Sequence, residues 1–384
     1  MSTASPAVGS VLPERPADVA AEAAKRGARP VRAGSRVFSV DVFRGLVIAG
    51  MLLVNNLVWT PSTPAQLMHA AWGHGVTFTD MILPWFVLII GITIPLSSSR
   101  AGALRVVRRA ALLVALGIAI DSFEFRTFTA GMDVLQLLGL SYLAAALLAR
   151  TPVWVRVAAS AALFAGYAGL LASWAAPGHP AGVLDPHHNV VQYLNDAHLA
   201  RYNLAGVLAV GPATALALLG TAAGAVLRDA RVGDPGKIGA IAAAGALLAG
   251  VGLWWGHALP LNKDLWTPSY ALAAGGLGLL VLAGCHLLCR SALGRAFGLP
   301  FAILGVNAIV AYVASALLAV GLMDYTWPDP WSRAHTLSLH ATVLDPLGRA
   351  VGTVPAAWLY TGTIVAWWWA VLWVLYRRGV FIRV

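Results

Sequence analysis

Long apolar stretches, separated by charged or Pro- and Gly-rich breaks, recur along the chain from about residue 41 to residue 376. A bilayer core of about 30 Å is crossed by about 20 apolar residues in a helix, and ten stretches have approximately that length. They run over residues 41–59, 77–99, 103–121, 131–149, 152–175, 204–227, 237–257, 267–289, 297–320 and 354–376. The pattern therefore predicts an all-α polytopic membrane helix bundle of about ten transmembrane helices.

The first 36 residues have a different pattern. They are rich in Ala, Pro and Arg and contain no apolar run long enough for the core of a signal peptide. Such a composition is typical of a disordered segment. We therefore expect a disordered cytoplasmic tail over residues 1–36 and a transmembrane domain over residues 37–384.

Composition excludes several other classes of protein. Hydrophobic residues make up 59% of the chain and charged residues 11%, and the mean hydropathy is +0.75. These values are too apolar for a soluble or disordered protein. The two cysteines, Cys285 and Cys289, are too few for a disulfide-built secreted domain. They lie one helical turn apart in an apolar stretch, and we interpret them as packing residues.

The basic charge of the chain follows its predicted topology. There are 26 Lys and Arg against 16 Asp and Glu, which gives a net charge of +10. When the predicted helices alternate across the membrane, 21 of the 26 cationic residues fall on one face. An excess of Lys and Arg marks cytoplasmic loops, so both termini are predicted to be cytoplasmic. The charge is thus a topology signal and does not indicate nucleic-acid binding.

Polar residues concentrate in the segment 39–99, around the first two predicted helices. Asn55 comes near the outer end of the first helix, His69 lies in the following loop, and Asp80 opens the second helix. An imidazole can accept a proton near neutral pH, a carboxylate can orient it, and an amide can stabilise an oxyanion. Acyl transfer requires these groups. The structural alternatives are a helix cap for Asp80 and an interhelical hydrogen bond for Asn55.

Several strings in the chain resemble a known family. They are SVDVFRGL from Ser39, VNN from Val54, HAAW from His69, TD followed by LPWFVLIIG from Thr79, and LNKDLWTPSY from Leu261. Together they resemble the transmembrane acetyltransferase family of heparan-alpha-glucosaminide N-acetyltransferase and its bacterial relatives. The resemblance extends over most of the membrane region and implies that residues 37–384 form a transmembrane acetyltransferase domain.

The resemblance implies roles for individual residues. In that family the His of the His-Ala-x-Trp motif is the catalytic residue, and it matches His69. The Asn at the end of the first helix is its partner in the active site, and it matches Asn55. We expect Asp80 to complete the catalytic group. One departure from the family pattern is an additional residue between Trp72 and Gly75.

The donor implied by the resemblance is acetyl-CoA, which is made in the cytoplasm. Its charged nucleotide does not cross hydrocarbon freely, so its phosphates are expected at the basic inner face. Guanidinium groups pair bidentately with phosphate, although each arginine here could serve as a topology signal alone. The candidate phosphate contacts are Arg44, Arg105, Arg108 and Arg109. Arg44 is also spaced for an i, i+3 ion pair with Asp41.

The acceptor is expected to be an amino sugar or envelope glycan that reaches His69 from the outer face. His69 would act as a base or carry the acetyl group, and Asn55 would stabilise the oxyanion. The candidate acceptor-binding residues are Trp72, Asn262, Lys263 and Trp266. An indole ring suits sugar stacking, but Trp is also common at membrane interfaces. The segment around Lys263 could equally be a structural corner.

Two other classes of function stay open on the sequence. A transporter or flippase for an envelope sugar or lipid would use His69, Asp80 and Asp121 for proton coupling, although most polar residues lie near helix ends. A metal site in the loop 176–203 has suitable residue types but lacks the i, i+4 spacing of helical zinc motifs, and we expect no metal. Its candidate ligands are Asp185, His187, His188, Asp196 and His198.

The choice between arginine and lysine indicates the base composition of the genome that encodes this protein. The chain has 23 arginines and three lysines, and it is rich in Ala and Gly, which indicates a GC-rich genome. We therefore expect an integral protein of a bacterial inner membrane, surrounded by lipid. These features are also compatible with a homodimer.

Overall fold

A computed structural model describes residues 37–73, 75–97, 102–324, 326–329 and 332–382. The predicted tail over residues 1–36 lies outside the described residues, as does His74 in the stretch between Trp72 and Gly75. The described part of the chain consists mainly of α-helices joined by loops, with one small β-hairpin.

The helices are numbered in chain order. They are α1 (Phe38–Asn55), α2 (Phe78–Leu96), α3 (Ala103–Glu124), α4 (Val134–Leu148), α5 (Val153–Ser173), the short α6 (Val190–Leu194), α7 (Val210–Arg228), α8 (Asp234–Trp255), α9 (Pro268–Leu288), α10 (Ala292–Val306), α11 (Ala308–Asp324), α12 (Leu339–Val351) and α13 (Thr353–Arg377). Strands β1 (Thr326–Asp329) and β2 (Ser332–Ser338) pair antiparallel between α11 and α12.

Helices α1, α2, α7 and α9 form the centre of the bundle. At least half of the residues in the most apolar part of each are buried, whereas α5, α8 and α13 expose most of theirs. Their sequences are apolar around the whole helix, which allows burial on every side. The candidate active site lies at one end of these four helices.

The contact between α2 and α7 depends on small residues. A Cβ at Gly91 of α2 would collide with the backbone of Ala217, and a Cβ at Gly220 or Gly224 of α7 would collide with the backbone of α2. Small residues let membrane helices approach closely, where van der Waals packing holds them together. The sequence LLGTAAG thereby holds α7 against the helix that carries Asp80.

Seven helices in the described part of the chain are long and apolar enough to cross a membrane, and the bent pair α10 and α11 would make an eighth. Each of the ten predicted stretches coincides with one helix or with this pair, but a count of about ten spans is not confirmed. Helix α3 has three arginines in its first two turns and two acidic residues near its end, and α4 has 15 residues. The protein is an integral membrane protein of the helical type.

The apolar stretch 297–320 does not form the single continuous helix that its length predicts. Helices α10 and α11 meet at Asn307 with an angle of 66° between them. Nδ2 of Asn307 donates to the carbonyl oxygen of Val380, and Oδ1 accepts from the amide of Ile382, both at 3.0 Å. The break follows from these tertiary hydrogen bonds, which the apolar sequence around Asn307 does not reveal.

The bundle has two chemically different ends. The end that carries Arg44, Arg109 and Arg228 is formed by the starts of α1 and α3 and the end of α7, and we call it the basic end. The opposite end carries His69 and Asp80, between α1 and α2, and we call it the site end. Polar chemistry is therefore separated along the long axis of the helices.

Candidate active site

His69 and Asp80 form a hydrogen-bonded pair at the site end. Nδ1 of His69 lies 2.7 Å from Oδ1 of Asp80. The side chain of His69 is 53% exposed, whereas that of Asp80 is 2% exposed. A buried carboxylate is costly unless it is hydrogen-bonded. The pair thus presents an accessible imidazole that is held by a buried carboxylate.

The loop before α2 is folded around the Asp80 carboxylate. Oδ2 accepts hydrogen bonds from the amide of Ala70 at 3.0 Å, the amide of Thr77 at 3.1 Å and the hydroxyl of Thr77 at 3.0 Å. The Thr77 hydroxyl in turn accepts from the amide of Asp80, which completes a capping box at the start of α2. The capping role considered for Asp80 is confirmed, and the same carboxylate also orients His69.

The hydrogen-bond network assigns the tautomer of a neutral His69. Because an ionised carboxylate only accepts hydrogen bonds, the Nδ1 atom that faces Asp80 carries the proton. The lone pair of the ring is then on Nε2, on the opposite side from Asp80. An imidazole held in this way can take a proton from a substrate or attack a carbonyl carbon.

Lys263 meets this pair from a segment 194 residues later in the chain. Its Nζ lies 3.1 Å from Nδ1 and 3.4 Å from Nε2 of His69, and 4.0 Å from Oδ1 of Asp80. With Nδ1 protonated, Nε2 and the carboxylate are the groups that can accept from the ammonium. Sequence reasoning predicts acceptor binding by Lys263 beside the His69 loop, and the structure adds a direct contact between Lys263 and His69.

The turn that presents Lys263 is built by its neighbours. Oδ1 of Asn262 accepts from the amide of Leu265 at 3.0 Å, and the Thr267 hydroxyl accepts from the amide of Asn262 at 3.0 Å. Trp266 adopts a φ of 49°, which is uncommon for a bulky residue. Asn262 and Trp266 are 3% and 5% exposed. These two predicted acceptor-binding residues are therefore buried in the turn.

Tyr270 connects the same turn to the start of α2. Its buried hydroxyl donates to the backbone carbonyl oxygen of Asp80 at 2.6 Å. Its ring makes an edge contact with Trp266, with 5.8 Å between the ring centroids. A buried tyrosine hydroxyl needs a partner, so this contact fixes α9 to α2 at the level of the site. Sequence reasoning missed Tyr270, although it ends the LNKDLWTPSY string.

Trp72 joins the His69 loop to the segment 176–203. Its Nε1 donates to the carbonyl oxygen of Leu184 at 2.7 Å. Its ring packs against a small apolar cluster that includes Leu171 and Val190. The indole is partly exposed, so stacking on a sugar stays a prediction for this residue.

Asn55 lies at the end of α1, on the wall of a cavity of about 480 Å³ that we call the site-end cavity. Polar groups of Thr79, Glu124 and Asp133 line the same cavity. Among the described residues, no hydrogen bond joins Asn55 to His69. Their partnership in catalysis, implied by the resemblance, would therefore have to act through a bound substrate.

A second cavity, of about 400 Å³, lies next to the site-end cavity in the direction of the basic end, and we call it the middle cavity. Phe86, Val134 and Tyr312 line both cavities. The wall of the middle cavity is mainly apolar, with Arg44 and Arg109 among its lining residues. Together the two cavities extend from the basic end to Asn55 at the site end.

The four predicted phosphate contacts lie in two different places, the wall of the middle cavity and the surface of α3. Nη1 of Arg44 lies 3.1 Å from Oδ1 of Asp41, so the predicted ion pair is confirmed. Arg44 and Arg109 line the middle cavity, whereas Arg105 and Arg108 do not. Arg105 and Arg108 are exposed at the start of α3. The structure thus separates two cavity arginines from two surface arginines.

The loop 176–203 places several histidines near one another without forming a metal cluster. Nδ1 of His188 lies 3.1 Å from Oδ1 of Asp185, and its ring stacks on that of His179 at 4.3 Å between centroids. Desolvation raises the pKa of Asp185, whereas hydrogen bonds from the amides of His188 and His187 lower it. The hydrogen bonds have the larger combined effect, so the pKa of Asp185 lies below its ordinary value. Within the described ranges, no three His, Cys, Asp or Glu side chains are arranged to hold a metal ion.

Comparison with known proteins gives the family. Residues 36–252 match a sequence model described as heparan-alpha-glucosaminide N-acetyltransferase, catalytic. The chain belongs to this family. The heparan-alpha-glucosaminide N-acetyltransferases of Homo sapiens and Mus musculus are each 23% identical to it over 429 aligned residues. The alignments cover 91% of this chain, and the chain spans 60% and 61% of the length of these two relatives.

Membership of the heparan-alpha-glucosaminide N-acetyltransferase family confirms the resemblance seen in the strings SVDVFRGL, HAAW and LPWFVLIIG. The family match includes Asn55, His69 and Asp80 and ends before Lys263. The geometry adds Lys263 to the pair and Tyr270 to its support. Both come from the LNKDLWTPSY string, which lies beyond the matched residues.

Proposed function

We propose that this protein is a transmembrane acetyltransferase that moves an acetyl group from acetyl-CoA to the amine of an amino sugar or glycan. Membership of the family supports the reaction class. The observation that carries the proposal is the His69–Asp80 pair, in which a buried carboxylate holds a half-exposed imidazole at 2.7 Å. Such a pair is an oriented base or nucleophile.

In the proposed reaction, Nε2 of His69 takes a proton from the neutral amine as its nitrogen attacks the thioester carbonyl carbon. The C–S bond then breaks, and His69 returns the proton to the sulfur of CoA. The Asn55 amide donates to the oxygen on which negative charge develops. In the variant mechanism, Nε2 attacks the thioester carbonyl carbon and the C–S bond breaks, which releases CoA as a thiolate. The amine then attacks the acetyl carbon, the bond to Nε2 breaks, and the proton of the amine passes to the thiolate.

The cavities support a route for the donor. A CoA thioester has a charged nucleotide at one end and a thin, weakly polar arm at the other. The middle cavity is mainly apolar, and it is followed by a site-end cavity whose wall includes the amide of Asn55. We propose that the arm lies in these two cavities, with the thioester between Asn55 and His69.

The acceptor is proposed to bind where Lys263 and Trp72 approach His69. The Lys263 ammonium suits a hydroxyl or acidic group of a glycan, and the partly exposed Trp72 ring suits a sugar face. Asn262 and Trp266 are buried, so we propose that they act by shaping the turn that presents Lys263.

The basic end is proposed to face the cytoplasm, with both termini on that side and the acceptor on the other. The excess of Lys and Arg at one face supports this orientation. The acetyl group would then pass along the bundle from the cytoplasm to the outer face of a bacterial inner membrane.

The test is acetyl transfer by the purified protein in lipid nanodiscs. Acetyl-CoA with a labelled acetyl group is supplied together with glucosamine or short amino-sugar oligomers, and N-acetylated product is measured by mass spectrometry. We expect acetylated amine and free CoA in equal amounts. Absence of acetylated product across the amino-sugar panel, with the donor left intact, would overturn the proposal.

A second candidate is a transporter or flippase, and the bend at Asn307 is the observation that favours it. Broken helices line the substrate sites of many transporters. In this protein both side-chain groups of Asn307 are occupied by Val380 and Ile382, so the break is locked by the chain itself. Uptake of an amino sugar into proteoliposomes without consumption of acetyl-CoA would support the transporter.

A further inference from the structure

A third cavity, of about 990 Å³, lies at the basic end among the ends of α2, α4 and α7 and the starts of α3 and α5. It is lined by five arginines and one acidic residue. The arginines are Arg109, Arg150, Arg156, Arg228 and Arg231, and the acidic residue is Asp229. We call it the arginine cavity.

Arg156 is buried in the wall of the arginine cavity. The residue is 5% exposed, and its Nη1 donates to the carbonyl oxygen of Thr221 at 3.0 Å. Its Nε is buried without a hydrogen-bond partner. Across the described residues, no carboxylate lies within ion-pair distance of Arg156. A buried guanidinium without a negatively charged partner is costly, which indicates that an anionic group completes the site.

Arg109 repeats this pattern from helix α3. Its guanidinium lies over the ring of Tyr142, 4.7 Å from the ring centroid, and its Nε is likewise buried without a partner. Arg109 also lines the middle cavity, and Thr93 and Ser97 are shared by the same two cavities. The arginine cavity is therefore a neighbour of the proposed donor route.

A topology signal does not explain this arrangement. The positive-inside rule is met by exposed cations at the basic end, such as Arg108 and Arg378. It does not require a guanidinium that is almost fully buried. The one acidic residue of the wall, Asp229, accepts a hydrogen bond from the amide of Arg231 and leaves the cavity with an excess of positive charge.

We propose that the arginine cavity binds the phosphate groups at the nucleotide end of the CoA thioester; this inference rests on the proposed function. Guanidinium forks pair bidentately with phosphate oxygens, and several of them can hold a diphosphate and a phosphomonoester together. Thr93, beside the arginine cavity, and Thr79, beside Asn55, lie about 21 Å apart along α2. An extended pantetheine arm is of comparable length.

The subsite also revises the set of phosphate contacts expected from the sequence. Arg109 is retained, and Arg150, Arg156, Arg228 and Arg231 join it from three later parts of the chain. Neither Arg105 nor Arg108 lines the arginine cavity or the middle cavity. Helix packing selects the phosphate contacts, because it brings the ends of α4 and α7 beside the starts of α3 and α5.

The phosphate of an anionic lipid headgroup has the same recognition chemistry, so the experiment must separate the two sources. We compare two donors, acetyl-CoA and S-acetylpantetheine, which carries the same thioester arm without phosphates. The protein is held in phosphatidylcholine nanodiscs. The variants are Arg228→Gln, Arg231→Gln and their combination, which change exposed residues of the cavity wall. Arg378→Gln removes one positive charge outside the cavities, as each single variant does at the cavity wall, and is the control for them.

The combined variant is expected to raise the KM for acetyl-CoA by about tenfold to a hundredfold, since it removes charged hydrogen bonds to phosphate. Its KM for S-acetylpantetheine is expected to match that of the wild type. Arg378→Gln is expected to leave both values unchanged. Adenosine 3′,5′-bisphosphate should compete with acetyl-CoA in the wild type, less strongly at high salt, and should lose this effect in the combined variant.

Two results would overturn the inference while leaving the proposed function intact. One is a combined variant that uses acetyl-CoA as well as Arg378→Gln does. The other is a combined variant that loses binding of phosphatidylglycerol but not of the bisphosphate, which would make the cavity a lipid site. If the wild type transfers acetyl from neither donor, the proposed function itself fails.

Discussion

Asp80 serves two purposes with one carboxylate. Oδ1 orients His69, while Oδ2 collects the amides of Ala70 and Thr77 and the Thr77 hydroxyl. The loop that carries His69 is thereby fixed to the start of α2. Catalysis and local folding share one buried group, and substitutions at His69 and Thr77 separate the two roles.

His69→Ala is expected to lower acetyl transfer by about 10²- to 10⁴-fold, the usual contribution of a general base. The fold should persist, because the side chain is 53% exposed. The rate is measured with labelled acetyl-CoA, and the melting temperature with a thiol-independent dye. His188→Ala is the matched control, since His188 is 51% exposed and also faces a carboxylate. Equal activity of the two variants would remove His69 from the mechanism.

Asp80→Asn is expected to lower acetyl transfer by up to about 10⁴-fold, since the amide no longer holds His69 in one tautomer. It should also cost about 1–2 kcal/mol of stability through the weakened cap. Thr77→Val removes a cap hydroxyl without touching His69, so it should lose similar stability but retain most activity. If Thr77→Val is as inactive as Asp80→Asn, Asp80 acts through the fold alone.

Lys263→Met is expected to raise the KM for the acceptor by about tenfold or more, the effect of losing one charged hydrogen bond of about 1.5 kcal/mol. The KM for acetyl-CoA should stay the same, because Lys263 lies at the site end. Lys263→Arg should recover part of the loss. Lys237→Met, a change of the same kind at the start of α8, is the control. A rise in the KM for acetyl-CoA instead would place Lys263 on the donor.

Sequence reasoning identified the local part of this site as a group, and it predicted acceptor binding for the distant segment around Lys263 without its direct contact with His69. Asn55, His69 and Asp80 fall within 26 residues of one another, so spacing and family strings identified them together. Lys263 and Tyr270 reach the pair through the packing of α9 on α2, which spacing along the chain does not encode. The residue types of Asn262 and Trp266 predict acceptor contacts, with a structural corner as the alternative, and the structure buries both side chains in the turn.

Helices were the most predictable elements, and their breaks were the least. Each of the ten apolar stretches coincides with a helix or a helix pair, because apolar length and flanking charge are local properties. The bend at Asn307 depends on the chain end near Val380 and Ile382, which no local pattern reports. The segment 321–353, which the sequence pattern placed outside the predicted helices, forms the hairpin of β1 and β2 and helix α12.

Gly220→Ala tests the seam between α2 and α7. A Cβ there would collide with the backbone of Leu88, and overpacking of this kind costs about 1–3 kcal/mol. We expect a lower melting temperature and, because α2 carries Asp80, a lower rate of acetyl transfer. Gly166→Ala in α5 meets open space, and it should be neutral or slightly stabilising, since Gly weakens a helix by about 0.5–1 kcal/mol. Equal melting temperatures would show that the seam tolerates a wider separation.

The three cavities order the chemistry of the whole molecule along the helix axes. The arginine cavity lies at the basic end, the middle cavity is mainly apolar, and the site-end cavity meets the amide of Asn55. Arg109 lines both the arginine cavity and the middle cavity, and Phe86 lines both the middle cavity and the site-end cavity. A donor with a charged head, an apolar arm and a reactive end has the same order. The net charge of +10 thus includes cations that packing turns inward, which the composition cannot distinguish from a topology signal.

Ile309→Trp tests whether the middle cavity is the donor route. Ile309 lines this cavity of about 400 Å³, and the larger indole would fill part of it. We expect acetyl transfer from acetyl-CoA and from S-acetylpantetheine to fall together, because both donors need space for the same arm. Leu247→Trp, on the exposed face of α8, adds the same ring outside the bundle and should retain activity. The melting temperatures of both variants should stay near that of the wild type, so a loss confined to Ile309→Trp would report obstruction of the passage. Full activity of Ile309→Trp would mean that the arm reaches His69 by another path, and the neighbouring cavities would then have no part in transfer.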